Sequence, residues 1–270
     1  MAHFVFSNRA VISVSGTDQI NFLQGIISND VHKLSQSLYT LILTSTGKVF
    51  CDAFIFKDDD QLLLDVPKPS LTSLLKKLML YKLNSSVMVT DLSNHFSVIG
   101  SFERSSTKEL PDPRSSYLGY RSFMQSSQVR HDCHDTKRQY DQKRLDMSIP
   151  DMPEDIEPEL HFPLELGFDK LNAIDYHKGC YIGQEVVART THLGRPRKGL
   201  YQVTCTTNQA MAKHSNITYQ EKIIGKTLGT AFGHSTMAIL DHKWVAEAES
   251  LVTIQIEGAE YHVTDIKQQS

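Results

Sequence analysis

The sequence predicts an α+β protein that ends in a small β-barrel, and three observations carry that prediction. Runs of β-rich, alternating residues are interleaved with one-faced apolar helices in the first half. A polar segment with two prolines, residues 103–116, breaks the chain before the middle. After Arg197 short β-rich runs dominate, at the spacing of a barrel or sandwich.

Taken in order, residues 11–14 read as a strand. Thr17 and Asp18 then offer an N-cap ahead of Ile20, Leu23 and Ile27, an amphipathic helix that stops near Ser28-Asn29-Asp30. Residues 39–44, 49–56 and 61–66 are β-rich and are separated by Ser45-Thr46-Gly47-Lys48 and Lys57-Asp58-Asp59-Asp60, both suited to hairpin turns, so an antiparallel meander is expected. Leu71, Leu74, Leu75 and Leu78 recur at helical spacing after Pro69, a stripe assigned to core packing. Residues 95–100 and 117–124 read as strands, 136–145 as a mostly polar helix, and 151–158 as an acidic, proline-broken connection. The runs at 200–204, 217–219, 223–230, 237–240, 251–256 and 261–266 form the β-rich end, with Glu257-Gly258-Ala259-Glu260 as a hairpin turn. The division expected is an N-terminal lobe over residues 1–97, a second lobe over 98–192 and a barrel over 193–270.

The composition excludes several classes. With 270 residues, 40% of them hydrophobic and 22% charged, the chain buries a sizeable core, so disorder is not its main state. Lys and Arg total 28 against 31 Asp and Glu, a net charge of -3, which leaves no general excess to collect phosphate or anionic lipid. Neither direct DNA binding nor a membrane partner is expected. Cys51, Cys133, Cys180 and Cys205 show no C-x-x-C spacing, which argues against a disulfide scaffold and against a single-chain zinc or iron–sulfur cradle, and favours a reducing compartment. No segment reaches the ~18 uninterrupted apolar residues of a membrane span, and the first residues show no basic leader, so a soluble, cytoplasmic protein is expected.

One stretch carries chemistry: Asp175-Tyr-His-Lys-Gly-Cys-Tyr-Ile-Gly-Gln-Glu-Val-Val-Ala-Arg-Thr190. Two glycines flank Cys180 and Tyr181, and a helix can begin near Gln184. Cys180 then lies just ahead of a helix N-terminus, beside Lys178 and near His177, surroundings expected to stabilise a thiolate. The plain alternative is a small buried residue between two tight turns. Two other clusters stand out. His131-Asp-Cys-His-Asp135 offers imidazoles and a thiol for a metal, without a second ligand pair at usable spacing. Arg195-Pro-Arg-Lys198 offers a short basic run for phosphate or an acidic tail, or simply a solvated linker.

Lys178-Gly-Cys-Tyr-Ile-Gly-Gln-Glu185 resembles the signature of the YgfZ-type folate-binding proteins, relatives of the glycine-cleavage T-protein that include a mitochondrial iron–sulfur assembly factor. Weaker resemblances follow in order along the chain. They are Phe22-Leu-Gln-Gly-Ile-Ile-Ser-Asn-Asp-Val31, Gly47-Lys-Val-Phe-Cys-Asp-Ala-Phe54, Arg144-Leu-Asp-Met-Ser-Ile-Pro150, Pro163-Leu-Glu-Leu and Arg189-Thr-Thr-His-Leu-Gly-Arg-Pro-Arg-Lys198. Ser148 stands where the family usually has glycine, Leu164 where glutamine is common, and Cys51 where the T-proteins often carry a second acid.

The resemblance implies T-protein-like folate-binding lobes around a central opening, followed by the barrel. It implies tetrahydrofolate or a derivative as ligand, with Asp52 and Asp146 as acceptors for the pterin, Tyr181 as a wall, Arg189 as a polar or tail contact, and Gln184 and Glu185 as orienting groups. Asp52 also reads as a strand-end charge, and Glu185 as an acid in a first helical turn. Lys178 pairs with Glu185 or holds Cys180 as thiolate, or is a solvated turn lysine. In function the resemblance implies an accessory factor for iron–sulfur cluster assembly or repair, whose partners are assembly proteins and client enzymes, including those that modify tRNA. Cys180 is its reactive thiol, one ligand of a cluster shared transiently with a partner. The accessory factor is expected to be non-enzymatic; a folate-dependent aminomethyltransferase is the alternative, enzymatic reading, and a metal or redox module without folate the third.

Overall fold

A computed structural model describes residues 3–129, 134–194, 196–206, 211–247 and 253–269. The elements run β1 (His3–Val5), β2 (Arg9–Ser15), α1 (Gln19–Gln24), β3 (Ser37–Leu43), β4 (Val49–Asp58), β5 (Gln61–Pro67), α2 (Leu71–Lys82), β6 (Met88–Asp91), β7 (Phe96–Ser101), β8 (Leu110–Pro111), β9 (Tyr120–Gln125) and α3 (His134–Asp146). There follow α4 (Gln184–Leu193), β10 (Lys198–Cys205), β11 (Asn216–Tyr219), β12 (Lys222–Phe232), β13 (Ser235–Asp241), α5 (His242–Glu247), β14 (Thr253–Ile256) and β15 (Ala259–Gln268). Among the described residues no helix is long and apolar enough to cross a membrane.

The expected α+β architecture with a C-terminal barrel is what forms. Five antiparallel strands pair in the order β3-β4-β5-β2-β6, four in the order β1-β7-β9-β8, and the last six close as β10-β13-β12-β11-β14-β15. The barrel hairpin tightens to Glu257 and Gly258 alone, both at positive φ, with Ile256 facing Ala259. The sequence pattern marks none of β1, β6 and α5, nor β8, which lies in the segment expected as a loop. β1 joins the second sheet through β7 and so crosses the division expected at residue 97.

β4 explains the layering. Its first eight residues are buried, so both faces of the first sheet are covered. With period 2, Cys51, Ala53 and Ile55 meet α1 and α2, whose Leu23, Leu74 and Leu78 are buried. Asp52, Phe54 and Phe56 face the other way, into the core shared by the two sheets and the barrel, where Phe4, Tyr140, Phe168, Tyr181 and Met237 meet. The leucine stripe of α2 is core packing, as expected.

At the end of α3, Ser148 lies at φ 51°, with its N–H on Leu145 O at 2.9 Å and that of Ile149 on Arg144 O at 2.8 Å. This is the left-handed residue of a helix-terminating turn, where glycine is free of strain. The glycine that the resemblance leads one to expect there would meet a backbone requirement.

Candidate functional site

Three segments far apart in sequence converge around Cys180. Residues 172–182 run along the chain that leaves α1. Asp175 N donates to Ser28 O at 3.0 Å and Ile182 N to Gly25 O at 3.3 Å. Ser28 Oγ donates to Ala173 O at 2.6 Å and Asn29 Nδ2 to Asn172 O at 2.6 Å.

Lys178 locks this seam. Its Nζ donates to the carbonyls of Gln24 at 2.7 Å, Ile27 at 2.6 Å and Asn29 at 3.0 Å, at and beyond the end of α1, where a helix leaves carbonyls unpaired. Burial pulls its pKa down to about 8, against the opposing charges of Asp30 and Asp175. Each of the three ammonium protons goes to a backbone oxygen. The expected pairing with Glu185 or with a Cys180 thiolate therefore gives way to a positioning role.

The other flank is fixed by two glycines. Gly183 precedes α4 at φ 82°, and a Cβ on it would lie 2.6 Å from Thr44 O and 3.2 Å from the Cα of Gly47. Gly47 lies at φ 78° in the β3–β4 turn, where a Cβ would come within 2.5 Å of the Cβ of Val186. The hairpin turn thus rests directly on the first turn of α4, an approach that any side chain at either glycine would block.

Between these anchors Gly179 has open space around it and Cys180 is exposed. Cys51 is enclosed beneath the first sheet, where burial pushes its thiol up, and Cys205 is buried in the barrel, its thiol pushed up to about 11 by burial. Among the described residues Cys180 is the exposed cysteine. Cys133 lies outside them, as do His131 and Asp132 of the histidine-rich cluster and Arg195 of the basic run. Arg197 pairs with Asp241 at 2.8 Å. No group of three or more His, Cys, Asp or Glu among the described residues is placed to hold a metal ion.

The residues expected to bind folate lie in different settings, some buried and some exposed. Tyr181 is buried under the Lys178 ammonium, 4.9 Å from its ring, and its N–H donates to Gln184 Oε1 at 3.3 Å. Glu185 and Arg189 are exposed on α4, and Asp146 is exposed at the end of α3, accepting from Gln142 at 2.8 Å. Asp52 is wholly buried. One carboxylate oxygen accepts from Arg9 at 2.7 Å and the other from the Tyr39 hydroxyl at 3.0 Å. Both oxygens of Asp52 are thus engaged inside the core. A cleft of about 210 Å³ does lie beside α4, lined by Gly47, Phe162, Glu165, Val186, Thr190 and Arg197, with Leu164 among its walls. It is smaller than the roughly 300–1,000 Å³ of drug-sized ligand sites.

Asp52 belongs to a buried ionic cluster that sequence reasoning missed. Arg9 donates to Asp65 at 2.5 Å, Arg121 bridges Asp65 and Tyr140, and Arg114 bridges Asp112, Tyr140 and Asp151. Arg144 continues to Asp155 and to Thr230 of the barrel. Burial raises the pKa of Asp52, while Asp112, although buried, is held low by Arg114 and Arg121. Arg121 also stacks 3.8 Å from Phe54. The cluster ties the first sheet to the second and, through Arg144, to the barrel; Asp112 lies two residues before Arg114 and Asp141 three before Arg144, whereas Asp52 and Asp65 lie 43 and 56 residues from the arginines they bind.

Comparison with known proteins adds to this picture. No protein-family model matches the chain. It is 30% identical to an iron–sulfur cluster assembly factor IBA57 homologue of Mycosarcoma maydis over 71% of this chain and 54% of that protein. It is 30% identical to the homologue of Neurospora crassa over 71% and 51%, and 25% identical to that of Dictyostelium discoideum over 73% and 60%. The chain thus spans about half the length of the curated relatives it matches. All three relatives are named as mitochondrial, which overturns the cytoplasmic expectation. Among solved structures, the glycine cleavage system aminomethyltransferase T of Bartonella henselae superposes with a TM-score of 0.71 at 16% identity, covering 100% of this chain and 85% of that one.

Proposed function

Because the chain has the T-protein fold and is related in sequence to the mitochondrial iron–sulfur cluster assembly factors, we propose that it serves iron–sulfur cluster assembly, lending the thiolate of Cys180 as one ligand of a cluster shared with a partner protein. The observation that supports this reading is an exposed cysteine on a loop whose two flanks are immobilised, by Lys178 on one side and Gly183 on the other. A cluster takes several thiolate ligands, and with no metal-binding group among the described residues the others come from the partner. The cluster is cargo on this reading, and the loop is a rigid mount that spares the partner the cost of ordering its co-ligand.

Four-iron enzymes, including those that modify tRNA, are the clients in this proposal. Tetrahydrofolate has no role at Asp52 in it, and the aminomethyltransferase reading draws no support from a carboxylate already held by Arg9 and Tyr39. In cells whose own copy is replaced by Cys180→Ala, four-iron client activity is expected to be lost while the amount of folded protein stays the same. Full client activity in that strain would remove the thiol from the mechanism.

A further inference from the structure

Four of the eight large hydrophobic side chains exposed among the described residues lie between residues 79 and 88: Met79, Leu80, Leu83 and Met88. Met79 and Leu80 share a stripe of α2 with Lys76, at spacing i, i+3 and i+4, opposite the buried Leu74 and Leu78, and Leu83 follows at i+7 just past the helix end. Met88 opens β6, an edge strand packed against α2. The segment carries a second signature. Between Asp65 and Asp91 there is no acidic residue and there are four lysines, Lys68, Lys76, Lys77 and Lys82, in a chain whose net charge is -3. Lys77 packs 4.7 Å from the Phe50 ring, leaving Lys76 and Lys82 beside the apolar stripe.

Leu83 is the third observation. It sits at φ 44° and ψ -115°, outside the left-handed helical region and in a conformation that favours glycine, and it is 83% exposed. A leucine there is strained and gains nothing from the core, and such outliers mark functional positions.

From these three observations we propose that the C-terminal end of α2, with Met88, docks peripherally on an anionic lipid bilayer. Aliphatic side chains with lysines at their margin suit the headgroup boundary of a charged membrane. Protein interfaces are instead depleted in lysine and anchored by aromatic residues and arginine. A second copy of this chain would set the same lysines against each other. Because the rest of the chain is acidic on balance, an anionic surface repels it and turns this face forward. The membrane partner excluded on overall charge thus returns as a local one.

The test is cosedimentation of the full chain with vesicles of phosphatidylcholine alone and of phosphatidylcholine mixed with phosphatidylserine. Binding is expected to the mixed vesicles only and to weaken as salt rises. Lys76→Gln combined with Leu80→Ser is expected to lower vesicle affinity about tenfold. Leu83→Gly is expected to raise the thermal midpoint and lower vesicle affinity together, a divergence that a purely structural leucine would not produce. Absence of binding to the mixed vesicles, or binding unchanged by these substitutions, overturns the proposal. So does a stripe whose substitution alters only self-association or capture of an acidic partner protein.

Discussion

The ammonium of Lys178 donates to the carbonyl of Ile27 at 2.6 Å, a contact that ties the loop before α4 to the chain leaving α1 across 151 residues of sequence. With Gln24 and Asn29 as its other acceptors, the lysine replaces the partners that the end of α1 lacks. Lys178→Met leaves three carbonyls facing an apolar stem. The expected cost is about 3 kcal/mol in urea unfolding, in the range for losing charge-assisted bonds at a buried site. Hydrogen exchange should quicken at Ile182 and Asp175, whose amides bond to Gly25 and Ser28. Unchanged exchange there would show that the lysine does not hold the loop.

Gly183 and Gly47 make a second expectation. Gly183→Ala adds a Cβ within 2.6 Å of Thr44 O at φ 82°, so strain and clash together should cost about 2–4 kcal/mol. Gly47→Ala meets the Cβ of Val186 instead, and Val186→Gly, which removes that atom, should recover part of its loss. Additive effects in that double-mutant cycle would contradict the contact.

Stability should depend on His161. Its burial, reinforced by the nearby Lys226, pulls the imidazole from 6.5 down to about 4. The folded state then binds this proton more weakly than the unfolded chain. Stability is therefore retained above pH 6.5 and falls as the pH drops from 6.5 towards about 4. The slope should stay below the ~1.4 kcal/mol per pH unit of one whole proton, because the ring is only partly buried. Urea titrations between about pH 5 and 7, above the usual carboxylate range, should show the slope in the wild type and a flatter profile in His161→Gln. Equal slopes would remove His161 from the account.

Asp52→Asn separates folding from ligand binding. It should cost about 1–3 kcal/mol, because Arg9 and Tyr39 lose a charged acceptor. Calorimetric titrations with tetrahydrofolate should be the same for this variant and the wild type. Wild-type binding that vanishes in a folded Asp52→Asn protein would return the carboxylate to a ligand site.

The sheets, the leucine stripe of α2 and the six barrel strands were legible because period and turn chemistry are local. The Cys180 motif was legible as a motif, and its resemblance led to the right relatives. Which side of β4 Asp52 faces follows from period 2, but what it meets there does not. Arg9, Arg114 and Arg121 come from three strands or turns, and only the packing of two sheets brings them together. Lys178 was read against its neighbours in sequence, whereas its acceptors are backbone atoms, which no side-chain pattern records. β6 and α5 are short edge or surface elements whose propensities are weak, and tertiary contact decides them.

The most direct test of the central claim uses a cluster-carrying assembly protein from the same cell, mixed anaerobically with this chain and followed by visible circular dichroism and size-exclusion chromatography. With the wild type, the cluster spectrum is expected to change and to travel with a complex of both proteins. With Cys180→Ser the donor's spectrum and elution should stay as they are. The same spectral change and the same cluster-bearing complex with Cys180→Ser would contradict the assignment of Cys180 as the shared ligand.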